Sequence, residues 1–304
     1  MASAATAASS SPSTSPADAG ATWHDSGMKS PVIDRYDRTA EGHLRWWAPV
    51  LAPASARLVG RLEALDPGLL GGESRLILDI GCGTGNSLFE AARRWPGARL
   101  TGLDASTGML AMAQREAERL PAEARDRISY VTAGADHLPF EDRSFDLAIC
   151  GFMLQMVPDR VPVLAEMHRV LRPGGTVAIL GWIQEKEPPP LELALEAALA
   201  ESGIVRPPRL EIRSGHFPSA WMAAQELRLA GFRRAAAREE TLDYTWAIDD
   251  FVTYRETTRD RDLFDSLDGP TREKGLAALD RRLRALPREA LRFRPPIVSL
   301  VGRA

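Results

Sequence analysis

The segment Leu76-Ile77-Leu78-Asp79-Ile80-Gly81-Cys82-Gly83-Thr84-Gly85 constrains the chain more than any other. Its aliphatic run is short enough to be a buried strand. Three glycines at alternate positions then let the backbone turn tightly and approach a ligand with no Cβ in the way. A helical pattern follows directly, so a ligand carboxylate or phosphate would meet backbone N–H groups and the positive end of a helix. Asp104 closes the next strand pattern, nineteen residues after Gly85. In open parallel sheets an acid at that place accepts hydrogen bonds from ribose hydroxyls, and ligands sit at the carboxyl ends of the strands. A tight turn alone would also use these glycines, but the strand before, the helix after and the acid beyond together mark a nucleoside site.

The surrounding chain repeats the alternation. Strand patterns at 76–80, 99–103, 127–131, 145–150 and 176–182 are spaced by helical patterns at 87–95, 106–120 and 160–171. Ser106 is a candidate N-cap, with Met109, Leu110, Ala113 and Ala117 on one face. Such spacing predicts a parallel sheet covered on both faces, an α/β Rossmann-like three-layer αβα sandwich. Residues 33–65 read as helical, and Pro49 and Pro53 are expected to split them into two pieces. Beyond Trp182 the rhythm breaks. Helices are expected at 191–201 and 219–230, a strand at 232–242, a charged helical stretch over 248–291 and a last strand at 296–302.

The 304 residues allow two domains or one elaborated one, at about 150 residues per domain. The division predicted is a disordered Ala/Ser/Thr/Pro tail at 1–20, an N-terminal helical lid at 21–74, and one domain at 75–304. That domain carries helical insertions at about 184–217 and 244–294. Lys and Arg total 38 against 41 acids, a formal charge of −3, which argues against a phosphate-binding surface for nucleic acid. No apolar run is long enough to span a bilayer. Two cysteines form no disulfide framework or zinc motif, so the chain reads as cytoplasmic and metal-free.

The dinucleotide fingerprint is Gly-x-Gly-x-x-Gly. The spacing here is Gly-x-Gly-x-Gly, with Asp79 two positions ahead, and it resembles motif I of the class I S-adenosylmethionine-dependent methyltransferases. Leu138-Pro139-Phe140, Phe145-Asp146-Leu147 and Arg169-Val170-Leu171-Arg172-Pro173-Gly174-Gly175 resemble further segments of that family, so the likeness covers about 75–182. It implies a seven-stranded, mostly parallel sheet ending in two antiparallel strands, 232–242 and 296–302, the last antiparallel to the rest. It implies S-adenosylmethionine as cofactor. Asp79, Gly81, Cys82, Gly83 and Gly85 would line its methionine end, and Asp104 would hold the ribose diol. Ala105 and Met109 would flank the adenine, and Gly151 and Phe152 would lie beside the reacting methyl. The family's usual Gly-Asp-Ala is here Ala133-Gly134-Ala135-Asp136, so Gly134 replaces the acid for the adenine amino group. Ala135 would meet the adenine edge, and Asp136 would have to substitute.

Methyl transfer needs a general base only when the nucleophile arrives protonated. Nucleobase amino methyltransferases carry an (Asp/Asn/Ser)-Pro-Pro-aromatic segment after strand four. This chain has Gly151-Phe152-Met153-Leu154-Gln155-Met156, which points away from nucleobase amines and supplies no base. His216 is the first candidate for base or substrate contact, with His24 and Tyr36 beside it. Tyr36 is also a cofactor candidate, since a phenol can donate to a carboxylate. His43 lies in a segment able to close over substrate, whereas His137 and His168 read as polar packing or surface. Trp23, Trp46, Trp47, Trp221, Tyr244, Trp246, Phe251 and Tyr254 either wall an apolar pocket or pack the added helices. Arg281, Arg282, Arg284, Arg288, Arg292 and Arg294 read as a solvated face before an anion site. The expectation is O-methylation of a small molecule of secondary metabolism, with no nucleic-acid or membrane partner; a homodimer is compatible with it. The rivals are a methyltransferase fold that catalyses rearrangement or only binds ligand, and an NAD-dependent oxidoreductase.

Overall fold

The computed structural model describes residues 30–65, 75–207 and 215–304. The tail assigned to 1–20, Trp23 and His24 lie outside them. Seven strands form one sheet: β1 (Leu76–Ile80), β2 (Arg99–Asp104), β3 (Ile128–Thr132), β4 (Phe145–Gly151), β5 (Leu171–Trp182), β6 (Arg233–Thr241) and β7 (Pro296–Arg303). Their spatial order is β3-β2-β1-β4-β5-β7-β6. β1 through β5 pair in parallel. β7 runs antiparallel to both of its neighbours, so it alone opposes the rest.

The chain places β2 and β3 on one side of β1, then crosses over to put β4 on the other. That reversal opens a crevice at the carboxyl ends of β1 and β4, the place where such sheets bind ligands. The register is fixed by burial: Ile77, Ile149, Ala178 and Leu180 enter one apolar layer, while Leu78, Ile80, Ala148, Cys150 and Ile179 enter the other. Both faces are covered, which explains aliphatic strands without polar alternation.

Helix α1 (Pro31–Gly42) begins at Ser30, whose hydroxyl accepts from the Val32 N–H. It runs through a π-helical turn, His43–Trp47, into α2 (Ala48–Leu65). The expected division into two pieces is there, but its position differs. Pro49 is the second residue of α2, just after the widened turn, and Pro53 is carried inside the helix. The break is instead a widened turn, one extra residue that no proline signals. α3 (Asn86–Arg94) follows the glycine loop, and α4 (Thr107–Ala117) starts at the Ser106 cap, which accepts from the Met109 N–H at 3.1 Å. α5 (Arg160–Val170), α6 (Pro190–Ser202) and α7 (Ala220–Leu229) come next. The stretch after β6 breaks up as α8 (Ile248–Tyr254), a second π-helical turn Arg255–Arg259, a short helix Arg261–Asp265, and α9 (Gly269–Ala285).

Two half-buried polar side chains clamp the loop after β3. Glu166 Oε2 accepts from the Leu138 N–H at 2.7 Å, and Arg169 donates to the carbonyls of Leu138 and Phe140 at 2.9 and 2.8 Å. The loop after β3 is thereby tied to α5. The six-arginine run is a surface feature: Arg281, Arg282, Arg284, Arg292 and Arg294 pair with exposed Glu201, Asp249, Asp280 and Asp243. Among the described residues no helix is long and apolar enough to cross a membrane, and no cluster of His, Cys, Asp and Glu could hold a metal ion.

Candidate cofactor and acceptor site

A cavity of about 580 Å³ opens at the β1–β4 crevice. Its floor is the glycine loop. Gly81 and Gly83 have φ of 67° and 54°, in the left-handed region where other residues are strained. They use that freedom differently. A Cβ on Gly81 would overlap the Met153 side chain, so the loops after β1 and β4 touch there. A Cβ on Gly83 would meet nothing within 4 Å and would point into open space. Gly85, with φ 96°, caps α3, and its own Cβ position is taken by the Phe89 ring.

Asp104 ends β2 with its carboxylate anchored at both oxygens. Oδ2 accepts from the Gly83 N–H at 2.8 Å and Oδ1 from the Ser106 N–H at 2.9 Å. Each oxygen keeps a lone pair, because a carboxylate offers about four acceptor sites. Burial pushes the Asp104 carboxyl up, and the two backbone N–H groups oppose it. Asp79, one residue before the end of β1, is 1% exposed, and neither of its oxygens has a hydrogen-bond partner. Burial, then the charge of Asp104, raises its pKa to about 7; the Leu88 backbone opposes this from outside hydrogen-bond geometry. An unpaired acid in the cavity wall is costly unless a ligand supplies its partner.

The far wall comes from the added segments. Arg35, Tyr36, His43, Trp47, Leu51 and Ser55 reach the cavity from α1, the first π turn and α2. Asp37, a residue the sequence reading passed over, docks this region. Its Oδ1 accepts from Ser106 Oγ at 2.6 Å and from the Gly108 N–H at 2.8 Å. A Cβ on Gly108 would stand 2.8 Å from the Asp37 carbonyl oxygen, so α1 lies directly on the start of α4. Asn86 adds a second tie through the Ala48 carbonyl at 2.9 Å. Trp182, Gln184, Gly215 and His216 contribute from the region after β5, and Arg259 from the second π turn.

Of the residues singled out from sequence, Tyr36, Asp79, Gly81, Cys82, Gly83, Asp104, Met109, Gly151, Phe152 and His216 share this cavity. Gly85, Ala105, Gly134, Ala135 and Asp136 do not line it; the Asp136 carboxylate folds back against Gly134. His24 lies outside the described residues. His168 packs its ring against Phe232 at 5.0 Å, and His137 is exposed. The aromatic set divides: Trp47 lines the cavity, Trp246, Phe251 and Tyr254 are buried packing, and Trp221 is 68% exposed.

Two residues just after β4 and one in the first π turn carry chemical information. Phe152 adopts φ 55°, an uncommon conformation for a bulky residue and one that gathers at functional sites. Gln155 is 7% exposed, donates through Nε2 to the Phe152 carbonyl, and leaves Oε1 without a donor at the cavity wall. His43 also lines the cavity with Nδ1 unpartnered; burial, then Arg35, lowers its pKa to about 4.

The chemistry of the set fits a nucleoside with an amino-acid end. Gly83 leaves room beside backbone N–H groups, Asp104 presents free lone pairs, and Asp79 lines the cavity with both oxygens unpartnered. Residues 78–179 match the family model described as a methyltransferase domain. Over that segment the chain is similar to methyltransferase domains, and the segment lies within the seven-stranded sheet with its one antiparallel strand. Among curated proteins, the demethylmenaquinone methyltransferase of Lactiplantibacillus plantarum is 38% identical over 114 residues, 37% of this chain and 47% of that one. The Lactococcus lactis protein of the same name is 40% identical over 105 residues, 34% and 40% of the two chains. The chain thus spans about half the length of the curated relatives it matches or less. The YcgJ structure from Bacillus subtilis superposes with a TM-score of 0.52 at 18% identity, over 81% of this chain and 97% of that one. The [4+2]-cyclase SpnF gives 0.50 at 20%, over 82% and 80%. Both are likenesses of fold.

Proposed function

We propose that the chain is an S-adenosylmethionine-dependent methyltransferase that methylates a small molecule, at oxygen. One observation carries the reading: the Asp79–Gly83–Asp104 cradle and the Gly151–Phe152 strand end open into a single cavity. The domain match over 78–179 and curated relatives named as methyltransferases support it.

Asp104 would hold the ribose diol, Gly81 and Gly83 the methionine end, and Asp79 the cationic groups of the cofactor. When bound, S-adenosylmethionine supplies a methyl group on a sulfonium leaving group. The protein's contribution is then alignment and enclosure. Holding two reactants in near-attack geometry supplies roughly 7–11 kcal/mol. Gly151 and Phe152 set the floor on which the acceptor lies, and Gln155 Oε1 accepts a hydrogen bond from the acceptor's hydroxyl and so fixes its direction. Trp47 and Trp182 exclude water. His43 stays neutral at pH 7, so it accepts a hydrogen bond but is too weak a base to take a proton from an ordinary alcohol. His216 is the remaining candidate for proton removal. An acceptor that ionises near neutrality needs neither.

Calorimetry with S-adenosylmethionine and S-adenosylhomocysteine tests the cofactor, and release of S-adenosylhomocysteine with hydroxylated acceptors tests the transfer. Binding without turnover over a broad panel would favour the rearrangement or ligand-binding rival. Binding of NAD in place of both would favour the oxidoreductase.

A further inference from the structure

The second π turn holds an arginine on which the surrounding carboxylates act only from beyond ion-pair distance. Glu192 and Asp260 are the acids enclosed with it, and other arginines already hold both. Arg255, 1% exposed, donates to Glu192 and, through Nε, to Asp260 Oδ2 at 2.5 Å. Arg206 takes the other Asp260 oxygen and reaches exposed Glu196 at 3.0 Å. Three guanidinium groups thus face two enclosed carboxylates. Arg259 is the third, and among the described residues no carboxylate stands within ion-pair distance of it. It is hemmed in by protein yet accessible, because its open side is the cavity. Its hydroxyl neighbour, Tyr254, offers no charge, since burial pushes that phenol's pKa up.

The cavity between this arginine and the end of β4 is flat-walled. Phe152 and Trp182 have ring centroids 4.7 Å apart, and Trp182 and Trp47 6.1 Å. Trp47 stacks on Tyr254 at 5.4 Å with an interplanar angle of 1°, and Tyr254 on Trp246 at 5.1 Å. The walls are braced. A Cβ on Gly42 would overlap Thr258 Oγ1, so the end of α1 and the second π turn are in contact. Wide turns of this kind concentrate at functional sites because they redirect one side chain without ending the helix. Here they aim Trp47 and Arg259 at the same space.

We propose that this region is the acceptor subsite and that it takes a planar aromatic anion, its ring against Trp47 and Trp182 and its carboxylate or ionised hydroxyl on Arg259. The proposal rests on the methyl-transfer reading above for the placement of the reacting atom beside Gly151 and Phe152. A guanidinium supplies a planar fork that suits a carboxylate, and aromatic faces suit an aromatic ring. A neutral sugar or an aliphatic amine would leave Arg259 unmatched. A carboxylate or an already ionised ring hydroxyl is itself a nucleophile that needs no base, which fits a site without a strong base.

The test is calorimetric binding to the full chain saturated with S-adenosylhomocysteine. The probes are hydroxybenzoates and hydroxynaphthoates, each beside its neutral carboxamide. The acids should bind about tenfold or more tighter than the amides, as a charge-assisted bond requires. Arg259→Gln should abolish that preference with S-adenosylhomocysteine affinity within about twofold of the parent, and Arg259→Lys should restore part of it. Equal binding of acids and amides, no binding of any probe, or a preference that survives Arg259→Gln would overturn the subsite. Failure of S-adenosylhomocysteine itself to bind would instead remove the methyl-transfer reading. The acid–amide comparison can still be made on the ligand-free protein.

Discussion

The two sides of the cavity are built on different principles. The floor, at the ends of β1, β2 and β4, is made by backbone: left-handed glycines, a strand-end carboxylate fixed by two N–H groups, and a strained Phe152. The roof, made by α1, the two π turns and the segment after β5, is made by side chains held across long sequence distances. Asp37 reaches the start of α4, and Arg38 reaches Asp262 at 2.6 Å. A backbone-built site tolerates few substitutions and writes itself into a short motif. A side-chain-built site can change its acceptor while the floor stays fixed. The first should fail abruptly under mutation and the second by degrees.

Gly81→Val is the sharpest attack on the floor. The new side chain would be forced into a left-handed backbone and into Met153. Costs of about 1–2 kcal/mol for the backbone and 1–3 for overpacking should combine with loss of cofactor binding. Gly83→Ala separates the two effects. It carries the same backbone penalty but no clash, so the melting temperature should fall modestly while S-adenosylhomocysteine binding disappears. Binding retained in folded Gly83→Ala would mean that the cofactor does not lie on this loop.

Asp79 gives the floor a pH dependence. Its folded pKa of about 7 lies above the ordinary carboxyl value, so the folded state binds this proton more tightly than the unfolded chain. That contribution is complete below about pH 4 and is lost as pH rises through about 7. Asp79→Asn, which cannot ionise, should therefore stabilise the ligand-free protein at pH 8. The gain is at most about 4 kcal/mol for three pKa units, and it vanishes towards pH 4. The cofactor's positive charges should reverse the preference, so S-adenosylmethionine should bind more tightly as pH rises through 7 and release a proton. Calorimetry in two buffers of different ionisation enthalpy reads that proton directly; no release at pH 6.5 would separate Asp79 from the cofactor. Asp104→Ala should weaken the cofactor by about 1–3 kcal/mol, the loss of hydrogen bonds to a charged group. Unchanged affinity in the folded variant would remove the ribose assignment.

The same contrast decides what was legible in the sequence. Strands buried on both faces announce themselves as aliphatic runs, and Gly81, Gly83 and Asp104 stand at positions the backbone path itself demands. The parallel part of the sheet and much of the floor could be read from that; the count of seven strands and the antiparallel end came with the family resemblance. The π turns could not, because one extra residue in a helix leaves neither periodicity nor composition to find; Pro49 and Pro53 drew the break to the wrong place. Arg259 was hidden in a charged helical stretch where Arg255, Arg261, Arg272, Arg281, Arg282 and Arg284 do pair, and its position on the cavity beside two occupied acids distinguishes it. Gln155 was noted for what it cannot do. Its orphaned oxygen emerges only when Nε2 is seen to be committed to Phe152.

Asp37 marks the boundary between the two regimes and should give the smallest effect. It is a roof residue whose partners, Ser106 and the Gly108 N–H, belong to the floor, some 70 positions away. It accepts at the positive end of α4, where a carboxylate gains from both the free N–H groups and the helix dipole. Asp37→Ala leaves Ser106 able to cap the helix through the Met109 N–H, so α4 should persist. The expected loss is about 1–2 kcal/mol, confined to α1 and the first π turn. Hydrogen exchange should rise across 31–47 and stay unchanged across 107–117, while acceptor affinity falls more than S-adenosylhomocysteine affinity. If cofactor binding fell as far as acceptor binding, roof and floor would be one cooperative unit, and the division between a fixed cofactor floor and a variable acceptor roof would have to be abandoned.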